Sequence, residues 1–244
     1  MDNLNQKIGF ILLPGFSPDV VSVLGLKKIL EQRGYGAIAA NFYGDIDVDD
    51  FSILRAEQCI GSVSKIINDA AKKYERVFGI GVSLGGALLL EHAKKFGNIA
   101  GITSIGTPFK LKKRVLMKLG QKAVFFVYPL WKRFQRKKEW RLFPIGAGNM
   151  VIEYLENDFL KNLELIKTPT LFLHSKKDRI TDYRALAEFS LKLGAAHEIA
   201  FFKDGNHVLD RNPELILKYT LDYFGLGKEK ETGPALEETV AIAV

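Results

Sequence analysis

The stretch that decides the fold is residues 76–86, which read Arg-Val-Phe-Gly-Ile-Gly-Val-Ser-Leu-Gly-Gly. The apolar run over 76–82 predicts a buried strand, and residues 84–96 predict the helix that follows it. Between them, Ser83 has a glycine two residues away on either side, as a sharp strand-to-helix turn requires. Such a turn lifts the serine hydroxyl out of the sheet and points the free N–H groups of the helix toward it. The pattern therefore predicts a serine nucleophile.

A less specific interpretation of Ser83 is that it only caps the helix. Serine is a favoured N-cap residue, and Gly85 and Gly86 would then simply allow the helix to pack closely on the sheet. Because a short motif of this kind also arises by chance, the rest of the chain has to distinguish the two interpretations.

Two other predicted strands are each followed by a polar residue, Asp178 or His207, of a type that a serine nucleophile requires. Residues 169–175 form an apolar run before the loop that holds Asp178, and residues 197–203 form another before His207. If the sheet is parallel, both residues and Ser83 lie at the same edge of it. A serine hydroxyl is a weak nucleophile at neutral pH, so an imidazole has to take its proton and a carboxylate has to orient that imidazole.

The loop after the first predicted strand is the candidate for stabilising an oxyanion. Residues 8–13 form that strand, and Gly15 lies in the loop that follows. A glycine-bearing loop beside the serine can direct one backbone N–H at the oxyanion, and the N–H of Leu84 is the expected second donor. In an ordinary strand-to-helix connection, Ser17 or Asp19 caps the next helix, and the two interpretations do not exclude each other.

In this order, the motifs resemble those of the α/β-hydrolase superfamily, and they are most similar to small bacterial carboxylesterases related to monoacylglycerol lipases. The resemblance covers residues 7–225 and is carried by segments 12–16, 81–86 and 205–207 and by the Asp178 loop. It implies an α/β-hydrolase fold: a mostly parallel sheet of about six strands, helices on both faces, and a helical cap insertion.

The resemblance also implies a site that consists of a catalytic triad, Ser83, Asp178 and His207, and of an oxyanion hole formed by the backbone N–H groups of Phe16 and Leu84. Members of this group usually have a histidine before the glycine of the first loop, where this chain has Pro14. Proline fixes its own φ and pushes Leu13 toward an extended conformation. Since the oxyanion donors are backbone groups, we expect Pro14 to alter the loop without removing the hole.

Apolar runs alternate with helical patterns along the chain, which favours a parallel sheet with helices on both faces. The six strand-like runs are residues 8–13, 36–41, 76–82, 99–105, 169–175 and 197–203. We expect one domain over 1–225 and a flexible C-terminal tail over 226–244, which begins like a linker. The histidines outside the predicted triad follow no strand end and are interpreted as structural or surface residues: His92, His174 and His197.

The composition predicts a soluble cytoplasmic protein. The 244 residues contain no apolar run long enough to cross a membrane, and the polar N-terminus lacks the pattern of a secretory signal. The single cysteine, Cys59, excludes an internal disulfide and is typical of a reducing compartment. We interpret Cys59 as a small core residue rather than a nucleophile. The predicted chemistry needs neither a metal ion nor an organic cofactor.

The alternation of strands and helices breaks between residues 107 and 150, where hydrolases of this fold often carry a cap. This insertion holds twelve basic side chains and one acidic side chain, so its charge exceeds the net charge of +7 of the whole chain. Aromatic residues are interleaved with the basic ones, and Phe125, Phe126 and Trp131 are the candidates for substrate contacts.

Three interpretations of the insertion are open. Its apolar residues cover an acyl pocket while its lysines are solvated, or its basic and aromatic residues contact an anionic membrane surface from the cytoplasmic side. The third interpretation, nucleic-acid binding, is the weakest, because no recognition motif accompanies the charge. We therefore expect no nucleic-acid partner.

The predicted function is hydrolysis of carboxylic esters through an acyl-enzyme on Ser83, as in a carboxylesterase or a monoacylglycerol lipase. Thioesterase and acyltransferase activities are alternatives that use the same triad, and Asp182 is the second candidate for its acid. A non-catalytic ligand-binding or scaffolding protein is an alternative of another class, since a fold does not fix function. Such a protein would be expected to lack a residue of the triad.

Overall fold

The computed structural model describes residues 7–16, 20–44, 55–112, 145–209, 212–227 and 238–242. The strands of these residues form one seven-stranded sheet: β1 (Ile8–Leu13), β2 (Gly36–Ala39), β3 (Arg76–Val82), β4 (Gly101–Ile105), β5 (Thr170–Ser175), β6 (His197–Phe202) and β7 (Glu238–Ile242). Their order across the sheet is β2-β1-β3-β4-β5-β6-β7. The first six strands run parallel, and β7 is antiparallel to β6.

Helices connect the parallel strands. In chain order they are α1 (Val21–Gln32), α2 (Ala56–Ala71), α3 (Leu84–Lys95), α4 (Ile145–Tyr154), α5 (Tyr183–Ser190) and α6 (Pro213–Tyr223). Within the described ranges, none of these helices has the length and apolar character needed to cross a membrane.

Side chains of the strands alternate between two buried faces of the sheet. Phe10 and Leu12 of β1 pack in the cluster that includes apolar residues of α1 and α6. Ile11 and Leu13 pack in the other cluster, with residues of α2 and α3. Strands buried on both faces are nearly continuous apolar runs, which is how they are recognised in the sequence. The predicted parallel sheet with helices on both faces is confirmed.

The central strands end together at one edge of the sheet. Val82, the last residue of β3, pairs with Ile105 of β4, and Ile105 pairs with Leu173 of β5. Ser83 follows directly, and its N–H donates to the carbonyl of Ile105 at 2.7 Å. Because β5 and β6 run parallel to β3, the loops that follow them leave the sheet at this same edge.

Helix α4 returns the chain from the insertion and is fixed against α3. It continues into a π-helical turn over Leu155–Phe159. The Tyr154 hydroxyl donates to Glu91 Oε2 at 3.4 Å, and Lys94 Nζ donates to the same oxygen at 2.8 Å and to the Phe159 carbonyl at 2.6 Å. Burial raises the pKa of Tyr154, so its hydroxyl stays protonated as a donor. These contacts hold the return segment on the helix that begins after Ser83.

Most of the predicted cap, residues 113–144, lies outside the described residues, and so do Phe125, Phe126 and Trp131. The two ends of the insertion are described: residues 110–112, where Leu111 forms a single antiparallel bridge with Thr181, and the helix α4.

The C-terminal segment differs in part from the expectation. Sequence analysis predicts a flexible tail over 226–244, whereas residues 238–242 form β7 and pair with β6 from His197↔Ile242 to Phe201↔Glu238. An edge strand exposes unpaired backbone N–H and C=O groups, and a segment with β-branched residues such as Val240 is suited to cover them. Composition did not reveal this pairing because the partner strand is distant in sequence.

Candidate active site

The turn at Ser83 has the backbone conformation that a serine between strand and helix needs. Ser83 has φ 50° and ψ −116°, and it is one of three non-glycine residues with positive φ in the described part of the chain. Such a conformation costs on the order of 1–3 kcal/mol and persists only where the surroundings impose it. The side chain of Ser83 is partly exposed. The turn therefore presents this hydroxyl at the sheet edge.

Close backbone contacts impose this turn. A Cβ atom at Gly81 would lie 2.4 Å from the Gly86 nitrogen, and one at Gly85 would lie 2.4 Å from the Pro14 carbonyl oxygen. Real Cβ atoms essentially never approach other atoms that closely. Any larger residue would push the helix off the strand, so the glycines around Ser83 are a steric requirement.

The loop after β1 lies directly beside Ser83. A Cβ atom at Gly15 would be 3.5 Å from the Cβ of Ser83, and Pro14 packs its carbonyl against Gly85. Phe16 is partly buried against the core, and Leu84 is the first residue of α3, where backbone N–H groups lack helical partners. Both expected oxyanion donors thus belong to segments that flank the serine. Residues 17–19, which hold the predicted caps Ser17 and Asp19, lie outside the described residues.

Asp178 lies in the loop after β5 and is 2% exposed. Its Oδ1 accepts the backbone N–H groups of Ile180 at 2.7 Å and Thr181 at 3.1 Å. Its Oδ2 lies 2.7 Å from His207 Nδ1 and 3.1 Å from His174 Nε2, and it accepts the Thr181 hydroxyl. A carboxylate offers about four lone pairs, and five donors approach Asp178, two at Oδ1 and three at Oδ2, so no acceptor position is left over.

These hydrogen bonds keep the buried carboxyl ionised. Burial on its own raises the pKa of Asp178, but the hydrogen bonds from His174, His207 and Thr181 outweigh burial and hold the pKa well below its usual range. Asp178 is therefore a fixed negative charge at neutral pH.

His207 lies in the loop after β6. Its ring contacts Asp178 and also lies close to Gly106. A Cβ atom at Gly106 would be 3.1 Å from Cε1 and Nδ1 of the His207 ring, and Gly106 follows Ile105, which accepts the Ser83 N–H. With its Nδ1 hydrogen on Asp178, the ring has a lone pair at Nε2. Within the described residues, neither Nε2 of His207 nor the hydroxyl of Ser83 has a hydrogen-bond partner. Catalytic hydrogen bonds often tighten only when substrate is bound.

The first residues of the insertion are paired with the Asp178 loop. Lys112 N–H donates to the Ile180 carbonyl at 2.7 Å, and Asp182 N–H donates to the Lys110 carbonyl at 2.9 Å. Lys112 Nζ donates to the Asp178 carbonyl at 2.6 Å. The base of the insertion and the acid loop therefore form one hydrogen-bonded unit.

Asp182, the second candidate acid, caps a helix. It is the N-cap of α5, where its carboxylate accepts the Arg184 N–H at 3.2 Å and pairs with the Arg184 guanidinium at 3.1 Å. The residue hydrogen-bonded to His207 is Asp178.

The remaining candidates are buried structural groups. His92 in α3 lies 3.0 Å from the Ser64 hydroxyl and 2.8 Å from Asn98 Oδ1, and burial lowers its pKa. Burial raises the pKa of Cys59 to about 12, which makes this thiol a poor nucleophile. No cluster of three or more histidine, cysteine, aspartate or glutamate side chains in the described ranges is arranged to hold a metal ion.

The burial of His174 agrees with its interpretation as a structural residue, but the sequence did not predict its contact with Asp178. His174 lies inside β5, and its buried side chain touches both Asp178 and Thr181. Its position four residues before Asp178 gives no indication of this contact, since the course of the loop decides whether the two side chains meet.

Comparison with solved structures identifies the fold. A structure from work on LipS and LipT, two metagenome-derived lipolytic enzymes, matches with a TM-score of 0.73 and 18% identity over 91% of this chain and 94% of that chain. The monoacylglycerol lipase of Paleococcus ferrophilus matches with a TM-score of 0.63 and 17% identity, over 88% and 94% of the two chains. A bacterial membrane phospholipase A matches with a TM-score of 0.65 and 17% identity, over 90% and 79%.

No family model and no curated protein matches the sequence itself. The structural matches are nevertheless to lipases, esterases and related hydrolases over almost the whole chain. The protein therefore has the α/β-hydrolase fold, as its sequence motifs predict.

Proposed function

We propose that this protein is a serine hydrolase that cleaves carboxylic esters of small molecules through an acyl-enzyme on Ser83. The observation that carries the proposal is the 2.7 Å hydrogen bond between His207 Nδ1 and Asp178 Oδ2 at the sheet edge where the strained turn presents Ser83. A strained serine turn alone would be compatible with a helix cap. A buried carboxylate paired with a histidine at the same edge favours nucleophilic catalysis.

In the proposed reaction, Ser83 attacks the ester carbonyl carbon while His207 Nε2 takes the hydroxyl proton. Asp178 holds Nδ1–H, which fixes the tautomer with a free lone pair at Nε2 and stabilises the imidazolium that forms. His207 then gives the proton to the leaving alcohol. Water, deprotonated by the same imidazole, releases the acid from Ser83.

The proposed oxyanion donors are the backbone N–H groups of Phe16 and Leu84. Leu84 begins α3, so its N–H is free of helical partners, and Phe16 follows Gly15, at which a Cβ atom would lie 3.5 Å from the Cβ of Ser83. Removing one donor of this kind costs about 2.7–4 kcal/mol of transition-state stabilisation. Pro14 is compatible with this arrangement because its carbonyl, rather than its missing N–H, makes the contact with α3.

Hydrolysis of p-nitrophenyl esters of increasing acyl length tests the proposal. Ser83→Ala should lower kcat on the order of a millionfold, and the preferred acyl length should report the depth of the pocket. Ser190→Ala is a matched control, because this serine is buried and, within the described residues, its hydroxyl bonds only the Ala187 carbonyl. Failure of the folded wild-type protein to hydrolyse any ester would overturn ester hydrolysis, and thioester substrates would then separate a thioesterase from a binding protein.

We also propose peripheral contact with an anionic membrane surface through the basic insertion over 107–150, with a protein that is otherwise cytoplasmic. The concentration of twelve basic side chains in this segment supports it, at about 1 kcal/mol for each basic residue near the surface. Two structures of similar fold are a monoacylglycerol lipase and a membrane phospholipase A. Co-sedimentation with anionic but not neutral vesicles, weakened by salt, is the expected result, and absence of binding to anionic vesicles contradicts it.

A further inference from the structure

A second histidine shares the carboxylate oxygen that faces His207. His174 Nε2 lies 3.1 Å from Asp178 Oδ2 and 3.0 Å from the Thr181 hydroxyl oxygen, and the Thr181 hydroxyl donates to the same Oδ2. His174 is 1% exposed and Thr181 is fully buried. The two side chains therefore form a small polar cluster behind the acid, which the proposed reaction steps do not use.

The hydrogen-bond partners determine the protonation state of His174. The Asp178 carboxylate can only accept, and the Thr181 hydroxyl has already donated its single hydrogen to Asp178. Both partners of His174 Nε2 are thus acceptors, so Nε2 carries a hydrogen. His174 Nδ1 is buried and has no partner in the described part of the chain. A hydrogen there would be an unsatisfied buried donor at a cost of about 1–3 kcal/mol, so the structure favours the neutral Nε2–H tautomer.

We propose that His174, together with Thr181, is a positioning residue of the reaction: it holds the Asp178 carboxylate in the orientation that His207 needs and limits its basicity. This inference rests on the proposed function for its catalytic consequence. Its physical content, an effect of His174 on the titration of His207, does not depend on any substrate.

Two effects follow from the geometry. The backbone N–H groups fix only Oδ1, so the two side-chain donors behind Oδ2 determine how that oxygen faces the imidazole. Each additional donor to Oδ2 also spreads its negative charge, which weakens the stabilisation of a positive His207 ring. Without His174, Asp178 is both less well oriented and more basic toward His207.

Charged side chains surround this cluster; among them, Arg179 is exposed and Lys176 Nζ lies over the Phe201 ring. Lys112 Nζ approaches from the base of the insertion and donates to the backbone carbonyl of Asp178. On the flanking loops, Asp182 pairs with Arg184, and Lys177 pairs with Asp204. On the neighbouring strand β6, His174 stands opposite the apolar Phe201. None of the residues that carry these groups is substituted in the variants below, so a change at His174 tests the Nε2–H contact.

His174→Phe is the informative substitution. It keeps the ring and removes the Nε2 donor, while the loss of Nδ1 breaks no hydrogen bond. We expect kcat to fall about tenfold with KM unchanged, and the acidic limb of the kcat/KM profile to move up by roughly half a pH unit. His174→Gln returns an N–H at a similar reach and should restore most of kcat and the pH profile.

His197→Phe is the matched control. His197 is also buried and lies at the start of β6, at the opposite end of the strand from the site. In the described part of the chain, its Nε2 likewise has no partner. This substitution should cost some stability and leave the pH profile where it is. An equal shift in both variants, or none in folded His174→Phe, overturns the proposal.

Nuclear magnetic resonance makes the test independent of turnover. The chain has four histidines, and the titration midpoint of His207 should move to higher pH in His174→Phe but not in His197→Phe. Inactivity of the wild type on every ester would overturn the proposed function. The titration midpoint of His207 would still test whether His174 acts on the pair of Asp178 and His207.

Two measurements cover the case in which His174→Phe does not fold. Thr181→Val removes only the hydroxyl from the cluster and should shift the His207 titration in the same direction. In the wild-type protein, the ring nitrogens of His174 should report the neutral Nε2–H tautomer throughout the titration of His207. A hydrogen on Nδ1 at neutral pH would contradict the proposal without any variant.

Discussion

The turn at Ser83 and the loop at Asp178 are both built rigidly, but different forces hold them. The turn is held by close packing of backbone on backbone, where Gly81 and Gly85 leave no room for another atom. The loop is held by hydrogen bonds, since five donor groups converge on one buried carboxylate. Close packing thus positions the proposed nucleophile, and hydrogen bonds to a charged group position the proposed acid.

This difference predicts how each region responds to change. Close packing is insensitive to pH but does not tolerate added volume. A network around a buried charge tolerates neither the loss of that charge nor of its donors, and it depends on pH. A substitution that adds volume should therefore disturb the turn at Ser83, and a substitution that removes charge should disturb the loop at Asp178.

The largest effect is expected for Asp178→Asn, which removes the charge with almost no change of volume. An amide can direct its N–H₂ at His207 and favour the wrong tautomer, so kcat should fall on the order of 10⁴-fold. The measurement is ester hydrolysis by the purified variant. Asp182→Asn is the control and should leave kcat close to that of the wild type, because Asp182 caps α5. The reverse result would mean that Asp182 is the acid.

The next effect concerns volume at the turn. Gly81→Ala places a Cβ 2.4 Å from a backbone nitrogen, and we expect a loss of about 3 kcal/mol or more in the free energy of unfolding. Urea unfolding measures it. The Cβ of Gly61→Ala in α2 meets no atom of the described residues within 4 Å, and this variant should be more stable by about 0.5–1 kcal/mol, since alanine favours helix. Equal stability of the two variants would show that packing does not hold the turn.

The smallest effect is the pH dependence of stability. Because the folded-state pKa of Asp178 is depressed, its contribution to stability is present above the unfolded value of about 3.9. That contribution is lost as the pH falls toward the depressed pKa. Below about pH 4, urea midpoints of the wild type should therefore decline more steeply than those of Asp178→Asn. Parallel curves would contradict the depressed pKa.

The sequence predicted what local patterns determine. Buried parallel strands are continuous apolar runs, and the glycines around Ser83 are a local steric requirement, so the central sheet and the turn could be recognised directly. The tail could not: β7 depends on the open edge of β6, which is remote from it in sequence. Because residues 226–237 have the composition of a linker, sequence analysis predicted a flexible tail and not the strand at 238–242.

Within the candidate site, the pairing of Asp178 with His207 followed from the order of the strands, because parallel strands end at one edge. His174 could not be assigned in the same way. Whether a strand residue contacts the loop after it depends on the path of that loop, and here Thr181 brings the two together. The contact between Lys112 and the Asp178 carbonyl depends equally on the course of the insertion.

The measurement that tests the central claim most directly is covalent labelling with a fluorophosphonate, followed by intact-mass and peptide mass spectrometry. The account predicts one adduct per chain, on Ser83, that disappears in Ser83→Ala and forms much more slowly in Asp178→Asn. An adduct on another serine, or no adduct on a folded protein that hydrolyses esters, would contradict Ser83 as the nucleophile.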